Sequence, residues 1–235
     1  MQQLLLDLAQ PPPPRLSNFA IGHNAQALSA LHGWLQGSLH EHCIYVWGPP
    51  GCGKTHLLQA LVEAARDQVM ASVYVQGGTL EALEDVSELP RLIALDDAQG
   101  LTEPQQAALF RLFQRATEVD TLLLVSGPAA PAGLRLRDDL RTRLASGLTF
   151  QLHLLSDEEK GEALCSHAAS RGFELAPEIA QYLLHRQQRD LASLMQVLDA
   201  LDQYSLRVQR PITLALLREM LQPESSANAR QPWLR

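Results

Sequence analysis

A glycine-rich segment after an apolar run constrains the fold of this chain more than any other feature. Residues 48–55 read Gly-Pro-Pro-Gly-Cys-Gly-Lys-Thr, which satisfies the pattern GxxxxGK[ST], and the apolar run Cys43 to Trp47 comes directly before them. In this pattern a strand leads into a loop whose backbone N–H groups bind phosphate oxygens, and a helix N-terminus follows. The helical run His56 to Leu61 supplies that helix. A glycine-rich turn that matches by chance is not expected to have both flanks.

The same segment predicts roles for individual side chains. Lys54 is expected to reach the β- and γ-phosphates of a nucleotide, and Thr55 is expected to ligate Mg²⁺. The remaining positions are expected to contribute backbone N–H groups, and the glycines are expected to let these groups converge on the phosphate oxygens. The predicted nucleotide-binding residues of the segment are Gly48, Pro50, Gly51, Cys52, Gly53, Lys54, Thr55 and His56.

The composition narrows the class of protein. The chain has 235 residues, with 19 Lys and Arg against 26 Asp and Glu, and its net charge of -7 opposes tight wrapping of DNA or RNA. The 3 cysteines are scattered without a CxxC pair, which predicts neither a disulfide framework nor a zinc site. No apolar run approaches the roughly 18 residues that span a bilayer, and the N-terminal leucines lack the basic flank of a secretion signal. We therefore expect a cytoplasmic protein without membrane insertion.

Apolar runs alternate with helical patterns in the first two thirds of the chain. Five short apolar runs are predicted to be buried strands, namely Ile44 to Trp47, Ser72 to Val75, Leu92 to Leu95, Thr121 to Val125 and Leu148 to Leu152. Helices are predicted over Leu28 to Leu35, Thr55 to Arg66 and Pro104 to Ala116. This alternation predicts an α/β domain over residues 15–155, with a mainly parallel sheet flanked by helices.

The pattern changes after this domain. Ser156 and Glu159 are spaced as a capping box, and helical patterns without strand signals continue from there. We predict a small all-α lid subdomain over residues 156–222, followed by a polar tail over residues 223–235 that is expected to be disordered. At the other end, a leucine-rich peptide and a polyproline spacer are expected to form a flexible arm over residues 1–14.

Two aspartates follow the third apolar run. Asp96 and Asp97 are expected to lie at the edge of the sheet where the phosphate-binding loop lies. Asp96 is expected to support Mg²⁺ together with Thr55, and Asp97 to act as a general base that orients water against the γ-phosphate. Paired aspartates after a strand also cap the following turn in many proteins, and these residues alone leave that alternative open.

These motifs and several others, in the same order, resemble the DnaA family of AAA+ ATPases over about residues 15–222. Gly53 to Leu58 is similar to the Walker A segment of that family, and Leu95 to Gln99 to its Walker B segment. Asn18-Phe19, with Gly22 and Asn24, resembles the segment that contacts the adenine, and Leu124 to Ser126 resembles the sensor 1 strand. Arg141 to Leu144 resembles the arginine-finger box, and Arg189 to Leu191 resembles the start of the sensor 2 helix. The resemblance implies the AAA+ fold and a bound ADP or ATP. It also implies that the nucleotide-binding residues include Phe19, Asn24, Ser126 and Arg189.

The resemblance gives Arg143 the most specific role. Arg143 corresponds to an arginine finger, which stabilises the charge of a phosphoryl group held by a neighbouring protomer. From the residues alone, Arg143 could instead form an ordinary i,i+4 surface pair with Asp139. A departure from the family lies beside Ser126, because Gly127 stands where the family commonly has an acidic residue.

Two features distinguish the chain from the initiators of this family. Residues 223–235 are not expected to form the helix-turn-helix domain with which the initiators read duplex DNA. The segment Thr79 to Glu88 is short and acidic, whereas the initiators have a longer and more basic element there that engages single-stranded DNA. We therefore expect no direct sequence-specific DNA binding.

The N-terminal peptide adds a feature that the initiators lack. Gln3-Leu4-Leu5-Leu6-Asp7-Leu8 resembles the QLxLxL peptide with which proteins dock on the bacterial sliding clamp of DNA polymerase III. Leu4, Leu6 and Leu8 are expected to fill apolar clefts while Gln3 forms hydrogen bonds at the edge. The alternative is a leucine-rich terminus that matches by chance. A DnaA-like ATPase that begins with this peptide has the layout of the Hda-type regulators of DnaA.

The combined resemblance implies a negative regulator of chromosomal replication initiation. Docked on the clamp and carrying ADP or ATP, such a protein would present Arg143 to ATP-bound DnaA and stimulate hydrolysis there. A homodimer is a further assembly that we consider, and Asp97 preserves a base for weak hydrolysis of the chain's own ATP. The alternatives are a helicase loader of the DnaC or IstB type and a nucleotide-gated adaptor that binds DnaA without changing its hydrolysis.

Overall fold

The computed structural model describes residues 13–83, 86–186 and 190–221. The predicted clamp-binding residues, Arg189 and the predicted disordered tail all lie outside the described residues. Contacts divide the chain into a unit over Pro13–Leu155 and a second unit that includes the described residues from Ser156 onward.

The first unit contains a parallel sheet of five strands. The strands are β1 (Cys43–Trp47), β2 (Ser72–Gln76), β3 (Leu92–Asp96), β4 (Leu122–Gly127) and β5 (Leu148–Gln151). Their order across the sheet is β2-β3-β4-β1-β5, and every neighbouring pair is parallel. The structure confirms the predicted α/β class, and each of the five predicted apolar runs forms a strand.

Four α-helices accompany the sheet among the described residues of this unit. They are α1 (Ala25–Leu35), α2 (Lys54–Asp67), α3 (Glu103–Glu118) and α4 (Asp138–Ser146). The first three contain the predicted helices, whereas α4 was not among the predicted elements. Its charged sequence gives a weak apolar periodicity, since only Leu140 and Leu144 are buried. Short 3₁₀ turns lie at Leu16–Asn18, Gly22–Asn24, Gly77–Leu83, Ala98–Gly100 and Pro131–Gly133.

The sheet is buried on both faces, which explains its continuous apolar strands. Tyr45, Ile93 and Val125 contribute to a core with α3 and α4 residues. The side chains of Ile44 and Leu124 lie on the opposite face of the sheet and contribute to a second core with residues of α1 and α2. Strands that are covered on both faces read as unbroken hydrophobic runs rather than as alternating ones.

In its described residues the second unit contains helices and no strands. Its helices are α5 (Asp157–Ser170), α6 (Pro177–Arg186), α7 (Leu191–Val208) and α8 (Leu214–Leu221). Buried leucines from these helices form one core of their own. The predicted capping box is present, because Ser156 Oγ accepts from the Glu159 backbone N at 3.1 Å and the Ser156 N donates to Glu159 Oε2 at 2.7 Å. In the described part of the chain, no helix is both long and apolar enough to cross a membrane.

A buried tyrosine explains why glycine follows Ser126. The Tyr45 hydroxyl donates to the Ala129 carbonyl at 2.7 Å, and Tyr45 is fully buried. A Cβ atom at Gly127 would overlap that hydroxyl. The acidic side chain that the resemblance leads one to expect at position 127 therefore cannot be accommodated, because Tyr45 occupies the space.

We predict that Gly127→Ala lowers the free energy of unfolding by about 1–3 kcal/mol, the usual cost of overpacking a core. Tyr45→Phe removes the overlapped oxygen, so the double variant should lose less stability than the sum of the two single variants. Urea unfolding of the four proteins measures this coupling.

Gly133→Ala is the matched control, because its added Cβ would meet the nearest atom, Ala129 Cβ, at 3.4 Å. A Gly127→Ala variant that is as stable as Gly133→Ala would contradict this account of the tyrosine. Strict additivity in the double variant would also contradict it.

Candidate functional site

The loop between β1 and α2 has the backbone that the sequence pattern predicts. Gly51 and Gly53 have φ angles of +81° and +93°, which side-chain-bearing residues rarely adopt. A Cβ at Gly48 would overlap the Leu152 carbonyl oxygen, so the backbone passes close to the chain that leaves β5. These glycines are therefore required by local conformation and by close approach.

The ammonium group of Lys54 is bound to the loop itself. Lys54 Nζ donates to the Gly48 carbonyl at 2.8 Å and to the Pro49 carbonyl at 3.0 Å. Cys52 Sγ lies 3.8 Å from the same nitrogen, and Cys52 is 4% exposed. Lys54 thus places a positive charge at the loop, while Cys52 directs its side chain into the core.

Thr55 and Asp96 meet in the arrangement that was predicted for a metal site. Thr55 Oγ1 donates to Asp96 Oδ2 at 2.6 Å, although the two residues are 41 positions apart in the sequence. Hydroxyl and carboxylate oxygens are the ligands that Mg²⁺ prefers. Asp96 is largely buried, whereas Thr55 is exposed. The donor set therefore fits a divalent cation supported by a bound nucleotide.

Ser126 contacts this carboxylate. Its hydroxyl donates to Asp96 Oδ1, and its oxygen accepts from the Asp97 backbone N at 2.9 Å. Ser126 is fully buried. The predicted sensor residue thus connects β4 to the end of β3.

Asp97 lies next to this site in a different environment. Its backbone is left-handed with φ of 53°, it is exposed, and it makes no side-chain capping hydrogen bond to the 3₁₀ turn that follows. The alternative in which this aspartate caps the turn therefore receives no support from the geometry. An exposed carboxylate next to Asp96 in the sequence can accept a proton from water.

Phe19 and His56 lie against the loop from the N-terminal side. Phe19 is 9% exposed, and its Cε2 would be 2.9 Å from a Cβ at Gly53. The rings of Phe19 and His56 are 5.7 Å apart between centroids, and His56 Nε2 lies 3.2 Å from the Arg15 carbonyl oxygen. Burial lowers the pKa of His56, which favours the neutral ring. His56 thus fastens the segment before α1 to the first turn of α2.

Asn24 forms a two-way connection to the chain after β5. Its Nδ2 donates to the His153 carbonyl at 3.1 Å, and its Oδ1 accepts from the His153 backbone N at 2.7 Å. Asn24 is 3% exposed. Two exposed apolar side chains, Ile21 and Leu154, lie near these residues in the sequence.

Arg143 is exposed on α4, and two nearby arginines form ion pairs that Arg143 does not form. Arg141 pairs with Asp138 at 2.5 Å, and Arg137 pairs with Asp139 at 2.7 Å. The i,i+4 pair between Asp139 and Arg143 is not formed. Within the residues that the structure describes, the Arg143 guanidinium has no ion-pair partner.

Two residues that hold functional elements in place were not predicted from the sequence. Tyr74 on β2 donates to Asp96 Oδ2 at 2.8 Å, and Gln106 on α3 holds the start of α4 by accepting from the Arg137 backbone N at 3.0 Å. Both contacts join elements that are far apart in sequence, so no local motif contains them. Only the position of Tyr74 near the end of a predicted strand could have drawn attention to it.

Comparisons with known proteins show the family to which this chain belongs. The family model for the Hda lid domain matches residues 157–221. A protein of Haemophilus influenzae described as uncharacterized is 34% identical over 229 residues, which cover 94% of this chain and 98% of that protein. The chain belongs to the DnaA/Hda-like AAA+ family. The lid match and the long sequence match thus include both units of the chain.

Solved structures show the same AAA+ fold. AMPPCP-bound DnaA from Aquifex aeolicus has a TM-score of 0.70 and 22% identity, over 84% of this chain and 67% of that one. Domain III of DnaA from Thermotoga maritima has a TM-score of 0.75 and 18% identity, over 91% and 98%. This chain therefore has the AAA+ fold of these DnaA structures.

We predict that Asn24→Ala lowers the free energy of unfolding by about 1–3 kcal/mol, because it leaves the His153 N–H and carbonyl without these partners. The matched control is Asn18→Ala, which removes hydrogen bonds of an exposed asparagine to nearby Pro13 and Arg15. Chemical denaturation measures both variants. An equal loss in the two variants would contradict the structural role of Asn24.

Proposed function

We propose that this protein binds ADP or ATP with Mg²⁺ at the loop of residues 48–55. The two positive-φ glycines and the Lys54 ammonium support phosphate binding. The contact between Thr55 and Asp96 supports the cation, and Phe19 and Asn24 border the region of the base. The DnaA of Aquifex aeolicus was solved with AMPPCP bound, and family membership extends that expectation to this chain.

We further propose that DnaA is a partner of this protein. This protein is a cytoplasmic negative regulator of replication initiation that stimulates hydrolysis of the ATP held by DnaA. The single observation that carries this step is the exposed Arg143, which is left without an ion-pair partner in the described chain while Arg137 and Arg141 are paired. A guanidinium that is not neutralised locally is available for a phosphate on another molecule.

The placement of α4 supports this role for Arg143. Gln106 is 8% exposed, and its side chain links two backbone groups by hydrogen bonds. Its Nε2 donates to the Leu101 carbonyl at 3.0 Å, and its Oε1 accepts from the Arg137 backbone N. Leu140 and Leu144 are fully buried beneath the helix. The helix is thus fixed on one side, and Arg143 projects from the exposed side.

The sliding clamp is the second partner that we propose. Gln3, Leu4, Leu6 and Leu8 would dock on it, and the polyproline spacer would keep the peptide accessible. A clamp on DNA would concentrate the regulator on that DNA and so raise the effective concentration of Arg143 for a DnaA molecule bound nearby. The net charge of -7 is consistent with DNA being reached through the clamp rather than by direct contact.

We predict that Arg143→Ala abolishes stimulation of DnaA-bound ATP hydrolysis, since arginine fingers contribute about 10³-fold or more to phosphoryl transfer. The assay contains DnaA, clamp loaded on DNA and the regulator. Arg141→Ala is the matched control on the same helix, because its guanidinium is already occupied by Asp138.

Three other outcomes would count against this assignment. Equal stimulation by wild type and Arg143→Ala would remove the finger role. Binding of DnaA without any stimulation by wild type would favour the nucleotide-gated adaptor. Binding of helicase instead of DnaA would favour the loader.

We also predict that alanine at Leu4, Leu6 and Leu8 abolishes clamp binding in a pull-down and with it the clamp dependence of the assay. Their apolar contacts supply the docking energy, because each buried leucine contributes about 1.5–3 kcal/mol. Alanine at Leu5 and Asp7, which occupy the variable positions of the peptide, is the control. Unchanged clamp binding by the triple variant would remove the peptide from the proposal.

A further inference from the structure

A tyrosine on β2 reaches the carboxylate of the candidate metal site. The Tyr74 hydroxyl donates to Asp96 Oδ2 at 2.8 Å, on the oxygen that also accepts from Thr55 at 2.6 Å. Gln76 Nε2 donates in turn to the Tyr74 oxygen at 3.3 Å. The hydroxyl is therefore fixed between its own strand and the carboxylate.

The hydrogen bonds leave Asp96 with one oxygen less occupied than the other. A carboxylate has about four lone-pair sites, two on each oxygen. Thr55 and Tyr74 occupy Oδ2, and Ser126 occupies one site on Oδ1. The remaining site therefore lies on Oδ1.

Thr55 keeps its own capacity to bind a cation in this arrangement. A hydroxyl has one proton to donate and two lone pairs. Because the proton of Thr55 points to Asp96 Oδ2, its lone pairs are left for a metal ion or for water. Tyr74 adds a second donor to the same carboxylate oxygen and so limits rotation of the carboxylate about its bond to Cβ.

We propose that Tyr74 is a positioning residue for the divalent cation of the nucleotide site. It saturates Oδ2 of Asp96 together with Thr55, and it thereby fixes the plane of the carboxylate and directs the open site to Oδ1. Partners that orient metal-binding carboxylates contribute about 10–100-fold to metal affinity when they are tested by mutation. The inference rests on the proposed nucleotide site but is independent of DnaA and the clamp.

The chemistry of the Tyr74 side chain suits this role. Its phenol hydroxyl is a hydrogen-bond donor, and it donates to Asp96 Oδ2 at 2.8 Å. A phenylalanine ring would fill nearly the same half-buried space without the donor.

The test compares wild type with Tyr74→Phe in the full chain. Affinity for a fluorescent ADP is measured across a MgCl₂ titration and, separately, in EDTA. We expect the half-saturating Mg²⁺ concentration to rise about 10-fold or more in Tyr74→Phe, with affinity in EDTA unchanged. Tyr204→Phe is the matched control, because it removes a tyrosine hydroxyl that donates to Glu219 at 3.1 Å in the helical unit.

The possible results separate this inference from the proposed function. The same Mg²⁺ response in wild type and Tyr74→Phe would overturn the inference alone. An equal loss of ADP affinity in EDTA and in Mg²⁺ would identify Tyr74 as a packing residue and would also overturn it. Wild type whose ADP binding ignores Mg²⁺ would overturn both the inference and the proposed cation site.

Discussion

The buried carboxylate of Asp96 is the point at which the elements of the sheet unit meet. It accepts hydroxyl hydrogen bonds from Thr55 on α2, Tyr74 on β2 and Ser126 on β4. A buried charge is costly unless such partners compensate it, so the three elements are held in one relative position. The same contacts orient the carboxylate before any cation arrives, which reduces the reorganisation that binding requires. Fold and candidate function thus depend on one group.

Sequence patterns predicted the parts of this site that are local in the chain. The loop of residues 48–55 lies between a strand and a helix, and its glycine conformations follow from the pattern. Asp96 was found because the ends of parallel strands share one edge. Tyr74 was missed because its contact depends on the register of β2 beside β3. The overlap of Tyr45 with position 127 was missed because it joins the interiors of two strands, which no spacing rule describes.

The geometry changes the emphasis within the family motifs. Ser126 is fully buried and forms hydrogen bonds with Asp96 and with the Asp97 backbone, and Asn24 forms hydrogen bonds with the chain after β5. These residues couple the nucleotide region to the sheet and to the segment that leaves it. The Arg143 guanidinium has no ion-pair partner among the described residues. This contrast is in line with the proposal that Arg143 acts on ATP held by a partner.

Single-turnover hydrolysis of radiolabelled ATP that is already bound to DnaA tests this account most directly. The regulator is loaded beforehand with unlabelled ADP and added with clamp on DNA, so that all labelled phosphate comes from DnaA. The account predicts faster phosphate release with the ADP-loaded protein and no acceleration with Lys54→Ala, which removes the ammonium that lies at the loop. An unchanged rate with the loaded wild-type protein would contradict it.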